Sequence, residues 1–288
     1  MKKPLLIWLF VLLFVLHFGC RKSGGEHSYR PHLSAAHNLV LVEHTLVQLA
    51  ATFIKSIHDS TLIKDGYSKV DEAHAYLYSQ DEVFNLVIRY DEWGVPDPYK
   101  RYRKGTITAE IPGTNLMLNE EIALSFDSFL LDEQPIGFDK FIITKLSQST
   151  FKDTYKLEVE GGSFTSDNSE LDILFESNME ISLHHSSDQQ YYKLGDWFSA
   201  SAVSSARTAY YFEVDSETQE AFALKEGCAY FSEGNSLIRF GNLTPDSGYY
   251  SYGETSDSCS QYFLLNLPNV LLFQSIDWLI NTSLPTEK

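Results

Sequence analysis

The chain has 288 residues, 43% of them hydrophobic and 14% aromatic, with a formal net charge of −17. That length gives one large domain or two small ones, with enough chain to bury a sizeable core. The acidity excludes a duplex nucleic-acid binder, which needs a basic patch to neutralise phosphates, and disfavours adhesion to anionic lipid.

The first element is an export signal. Met1-Lys2-Lys3 is a short positive start, Pro4 to Leu16 is almost purely apolar, and His17-Phe18-Gly19-Cys20 follows. A positive start, an apolar run of about 7–15 residues and a small residue before the cleavage point define a secretory signal. The run is shorter than the ~20 residues that span a bilayer as a helix. The residues up to Cys20 resemble the lipobox of bacterial lipoproteins; Gly19 fits it, whereas His17 and Phe18 replace the usual Leu and Ala or Ser. The resemblance implies cleavage after residue 19, a lipid on Cys20, and the membrane as partner through that lipid. Stable anchoring needs two or more acyl chains, and a lipoprotein cysteine carries three. An uncut single-span anchor is the competing reading, and Arg21 and Lys22 suit it. Loss of residues 1–19 removes Lys2 and Lys3 and takes the charge to −19. Residues 20–32 are polar, with Gly24-Gly25, and read as a tether.

Residues 33–66 form an N-terminal helix region. Leu39, Val42, Leu46, Leu49, Phe53 and Ile57 recur at three- and four-residue steps, which predicts a helix over Ser34 to Asp59 lying on a sheet. His37 and His44 on it are too widely spaced for a zinc pair and read as polar-edge residues. After Asp65-Gly66 the period becomes two. The predicted strands are Val83 to Asp91, Gly105 to Ile111, Glu121 to Phe129, Phe138 to Lys145, Thr154 to Glu160, Glu170 to Glu176 and Met179 to His184. Thr208 to Val214, Glu220 to Leu224, Ser236 to Phe240 and Gln261 to Leu267 complete the set. Asn269 to Ile280 is apolar and reads as a last strand or short helix. So many short strands without helix alternation predict an all-β fold, mainly an antiparallel sandwich or open barrel-like sheets, over residues 67–288.

With Cys20 assigned to lipid, Cys228 and Cys259 are expected to form a disulfide in an oxidising compartment. Lys100-Arg101-Tyr102-Arg103-Lys104 is the only basic cluster and reads as the solvated start of a strand. No nucleophile elbow, zinc-protease helix, phosphate loop or dinucleotide fingerprint occurs, so no catalytic residue, cofactor or metal is assigned. His184 and His185 are strand neighbours on opposite faces and do not serve one metal. The carboxylate groups Asp132-Glu133, Asp167 with Glu170 and Asp172, Asp215 with Glu217, and Glu254 with Asp257 read as solvated loops; a glycosidase would need two of them facing each other across a cleft. Trp93, Tyr99 and Tyr102 on one loop, and Tyr249, Tyr250 and Tyr252 on another, are candidate ligand-binding aromatics, with core packing as the plainer reading. Asp59-Ser60-Thr61 resembles a bacterial O-glycosylation sequon, which marks Ser60 as a candidate modification site.

Three ordered motifs resemble a family of uncharacterised β-rich lipoproteins from Bacteroidota-type bacteria. They are Arg103-Lys104-Gly105-Thr106-Ile107 after Ile88-Arg89-Tyr90-Asp91, then Ile122 to Phe129 with Ile136-Gly137, then Gly227-Cys228 with Tyr252-Gly253 and Cys259. Asp91 departs from the family's usual Gly. The resemblance spans Val83 to Leu267 and implies export, lipid anchoring, an antiparallel β fold, the N-terminal helix and the cysteine pair, and no established activity. The sequence thus predicts a lipid-anchored component of the cell envelope, at the outer membrane, non-catalytic, binding envelope glycan or protein or serving structurally. The alternatives are an envelope glycan hydrolase using paired carboxylates and a fimbria-like subunit that lends Asn269 to Ile280 to a neighbour's sheet.

Overall fold

A computed structural model describes residues 29–80, 83–112, 118–165, 172–185, 196–225, 227–253 and 261–276. Cys20 and the export signal, Cys259, and the carboxylates Asp167, Glu170, Glu254 and Asp257 lie outside these residues.

Helix α1 runs Arg30–His58, with Pro31 in its first turn, where a missing N–H is harmless. Asp59 ends it and starts a short helix α2, Ser60–Asp65, by accepting the amide protons of Thr61 and Leu62. Gly66, at φ 71°, closes α2 in the left-handed conformation that favours glycine. Every residue of α1 from Ala35 to Ile54 is buried. A helix resting on one sheet face would keep a solvated side; this one has none.

The sheet explains the difference. Its strands are β1 Tyr67–Val70, β2 Ala73–Gln80, β3 Val83–Pro96, β4 Tyr102–Pro112, β5 Glu121–Leu131, β6 Gln134–Gly137, β7 Lys140–Gln148 and β8 Lys152–Phe164. They continue as β9 Ile173–His184, β10 Trp197–Arg207, β11 Glu213–Leu224, β12 Glu233–Phe240, β13 Ser247–Ser251, β14 Tyr262–Leu267 and β15 Val270–Ser275. All fifteen form one antiparallel sheet in which neighbours in sequence are nearly always neighbours in space, with β7 bridging β5 and β8. The edge strands β1 and β15 touch α1, and so do the middle strands β9, β10 and β11. The sheet therefore curls around the helix, and one cluster of buried side chains joins both. The architecture is all-β with a single long N-terminal helix.

Alternation supplies the inner wall. Along β9 the buried residues Ile173, Phe175, Ser177, Met179 and Ile181 alternate with exposed Leu174, Glu176, Asn178 and Glu180. The inward residues of β10 are Phe198, Ala200, Ala202, Ser204 and Ala206, mostly small, and this strand packs closely on α1. Val270–Ser275 pairs with β14 as a hairpin, so this part of the segment considered for lending to a neighbour already has a partner in its own chain.

Candidate functional site

Because α1 is enclosed, its polar side chains need partners on the wall or on the helix itself, and most find one; among the described residues the Asn38 side chain accepts and donates no hydrogen bond. Thr45 and Thr52 face β4. Arg101, just before β4, and Arg103, its second residue, are both fully buried. The expectation of a solvated basic cluster is thus wrong for both: Arg103 faces inward from β4, and the turn before it brings Tyr99 and Arg101 inward as well. Arg101 pairs with Asp132 and donates to Thr45 at 3.3 Å. Arg103 lies 2.6 Å from the Asp97 carboxylate and donates to Thr52 at 2.9 Å and to the Tyr90 hydroxyl at 3.1 Å. Asp97 also accepts the amides of Tyr99 and Arg101. Thr52 donates to Asp71, which is held by Lys55 at 2.8 Å. Burial lowers the Arg101 guanidinium to about 10 against the pull of Asp132. Burial pushes the Tyr99 phenol up to about 12.

On the other side of α1 the described partners of Glu43 and His44 are neutral groups. Glu43 accepts from Ser216 at 2.6 Å and from the Tyr250 hydroxyl. Burial pushes its carboxyl up to about 7, and the hydrogen bonds from Ser216 and Tyr250 only partly oppose the shift. His44 bonds the Val40 carbonyl through Nδ1 at 2.9 Å and takes the Phe231 amide on Nε2 at 3.2 Å, an arrangement that places its proton on Nδ1. Burial holds its pKa down at about 3, so the ring is neutral at ordinary pH. Gln48 donates to the Ala229 carbonyl at 3.0 Å. The segment 228–232 between β11 and β12 is thereby drawn onto the helix, with Cys228 buried.

At the C-terminal end of α1 the network reaches the rim. Asp153 on β8 is 1% exposed, and neither of its oxygens accepts a hydrogen bond among the described residues. Its Oδ2 is 3.3 Å from His58 Nε2, 3.5 Å from Lys145 Nζ and 3.8 Å from His185 Nε2. His58 also meets the Tyr155 hydroxyl at 2.7 Å, and His185 Nδ1 lies 3.9 Å from Asp196. Burial is the main cause that lowers the His58 pKa, opposed by Asp153. The cluster has the components of acid–base chemistry: a buried carboxylate, two imidazoles, an ammonium and a phenol. Among the described residues no set of three His, Cys, Asp or Glu side chains is arranged to hold a metal. His184 stacks on Trp197 at 3.8 Å and bonds Ser199, whereas His185 turns in toward Asp153, as opposite faces require. His58 and Asp153 carried no signal in the sequence; only the fold brings them to His185.

The six candidate aromatics divide. Tyr99, Tyr250 and Tyr252 are buried, bound to Lys55, to Glu43 and into the cluster around Phe231, so they are unavailable to a ligand platform. Trp93, 89% exposed, and Tyr102 remain on the β3–β4 hairpin, where the pairing shifts between Tyr90 and Val95. Tyr249 is exposed on β13, and no strand pairing joins the two places. Ser60 is exposed in the first turn of α2, with Asp59 used as the helix cap. Asp132 holds Arg101; Asp215 and Glu217 face outward on β11, with Glu217 3.5 Å from Arg239. No described carboxylate pair singled out from the sequence shares a cleft. No known protein family, curated protein or solved structure matches the chain.

Proposed function

We propose that the protein is a lipid-anchored component of the cell envelope that works as a non-catalytic binding or structural module through its outer surface. The observation that carries this reading is the filled interior. Barrel-like sheets wide enough to enclose a ligand hold it in the central cavity; here α1 occupies that space, and most of its polar side chains are engaged by the wall or by the helix itself. Contacts then fall to the outside, where Trp93 and Tyr102 on the β3–β4 hairpin offer exposed rings for an envelope glycan or protein. Cys20 stands ten residues before Arg30, so the anchor leads almost directly into the core helix. The test is co-sedimentation with isolated envelope glycan and with envelope protein extract. Trp93→Ala with Tyr102→Ala is expected to abolish the binding without lowering the melting temperature; unchanged binding would remove the hairpin from the account.

The Asp153 cluster favours a second reading, an envelope hydrolase that uses this rim rather than paired outer carboxylates. Turnover of envelope glycans or esters by wild type, lost in Asp153→Asn, would establish it.

A further inference from the structure

We propose that the outer face of β13–β15, carrying Tyr249, Leu271 and Phe273, lies against the lipid headgroup–acyl boundary of the same bilayer that holds the Cys20 anchor. The inference rests on the anchored reading above. It is carried by three observations that point the same way.

The first is composition. None of the residues of β13, β14 and β15 is charged, in a chain of net charge −17. The outer faces of β8, β9 and β11 carry Glu160, Glu176, Glu180, Glu213 and Asp215 instead. A solvated sheet face has no reason to avoid charge, whereas a face meeting lipid does.

The second is exposure in register. Tyr249 pairs with Asn266, which pairs with Leu271, and Leu264, buried though on the same side of β14, pairs with Phe273. Tyr249, Leu271 and Phe273 are each more than half exposed, at 51%, 59% and 63%. Leu271 and Phe273 form an exposed apolar pair on β15, and Tyr249, beyond Asn266 on β14, adds an aromatic hydroxyl to the same face, the side-chain chemistry that sits at membrane interfaces.

The third is position. The N-terminus of α1 bonds through His32 to the Pro245 carbonyl in the loop between β12 and β13, so the chain enters the fold at the end where β13 begins. The hairpin joining β14 to β15, next to Leu271, lies at the same end by the pairing register. Arg30 lies ten positions after Cys20, a stretch that reaches at most about 35 Å when extended. An anchor on Cys20 therefore holds this end near the bilayer, while α1, about 43 Å long at 1.5 Å per residue, carries the His58–Asp153 rim away from it. The acidity of the chain fits electrically neutral lipid rather than an anionic surface.

The experiment uses the full chain, matured in a lipoprotein-processing bacterial host, with intact mass showing loss of residues 1–19 and gain of lipid. It is reconstituted into phosphatidylcholine vesicles with or without bromine on the acyl chains. Tryptophan emission added by Phe273→Trp, and by Tyr249→Trp as a second reporter, is expected to fall at least twofold on bromination. Emission added by Phe151→Trp, in the exposed turn beside His185, is expected to stay unchanged. Equal quenching at residues 151 and 273, or none at 273, overturns the proposal. A dimer of the Cys20→Ala protein in sedimentation, lost in Phe273→Ser, would assign the face to a second copy and overturn it as well. Failure of the anchored reading is distinct: the mass would show residues 1–19 retained or no lipid, and the proposal would fall at its premise.

Discussion

The two sides of α1 meet the surrounding sheet through different chemistry. Toward β1–β5 the contacts are ion pairs in a chain: Arg101 with Asp132, Arg103 with Asp97, and Lys55 with Asp71, threaded through Thr45 and Thr52. Toward β9–β13 they are small side chains on β10 and two buried groups, Glu43 and His44, whose charged forms burial disfavours. The first side fixes which helix residue faces which strand, because a shifted helix would strand a buried charge. The second allows close approach and fixes protonation.

The largest effect is expected from breaking an ion pair on the first side. Arg103→Met leaves Asp97 buried without its counter-charge, and removing one partner of such a pair costs about 3–5 kcal/mol. Chemical denaturation would show it; a loss below about 1 kcal/mol would mean that the network does not fix the helix. On the second side the wall is sensitive to volume instead. Ala202→Leu pushes against a closely packed helix and is expected to cost about 1–3 kcal/mol, read as a lower melting temperature with the fold retained.

The same side should respond to pH in two opposed ways. Glu43 has a folded pKa of about 7 against an ordinary 4.5, so its contribution is fully present below pH 4.5 and is lost as pH rises through 7. His44, at about 3 against 6.5, contributes fully above pH 6.5 and loses that contribution as pH falls toward 3. Between pH 4.5 and 6.5 the two slopes oppose each other. Glu43→Gln removes one of them. The stability of wild type relative to this variant should therefore fall by about 3 kcal/mol from pH 4.5 to 7, at 1.36 kcal/mol per pKa unit. Denaturant titrations at several pH values measure it, and a flat difference would place solvent at Glu43. The smallest effect belongs outside: Trp93→Ala should change stability by less than about 0.5 kcal/mol, since the ring is almost wholly exposed.

These contrasts also explain what the sequence disclosed. The long helix and most strands were legible because their apolar residues keep period. β10 was not, because Ala200, Ala202, Ser204 and Ala206 face inward against Ser199, Ser201 and Ser205, and small residues on both faces erase the contrast. The sequence pattern splits β9 into two pieces because Ser177 interrupts the apolar residues; it points inward and bonds Ser204 across the strands at 2.8 Å. Thr208 to Val214 alternates like a strand, yet Tyr210 and Tyr211 take positive φ and make the turn into β11. Arg101 and Arg103 point inward, but a charge at the start of a strand reads as solvated until its distant partner is known, and Asp132 lies 31 residues from Arg101. The rim draws His58, Lys145, Asp153 and His185 from four separate elements or strand ends, and no local spacing connects them. Packing of α1 against a sheet was readable; enclosure on every side was not, because it depends on a sheet of fifteen strands curling past both faces.

The central claim is that the sheet folds around its own helix as one cooperative unit. Native-state hydrogen exchange of the backbone amides from Asn38 to Thr52 tests it most directly. The account predicts that these amides exchange only through global unfolding, as slowly as the slowest amides of β8–β11. Exchange of the helix at a distinctly lower opening free energy, with the strands still protected, would contradict it and make α1 a separable insert.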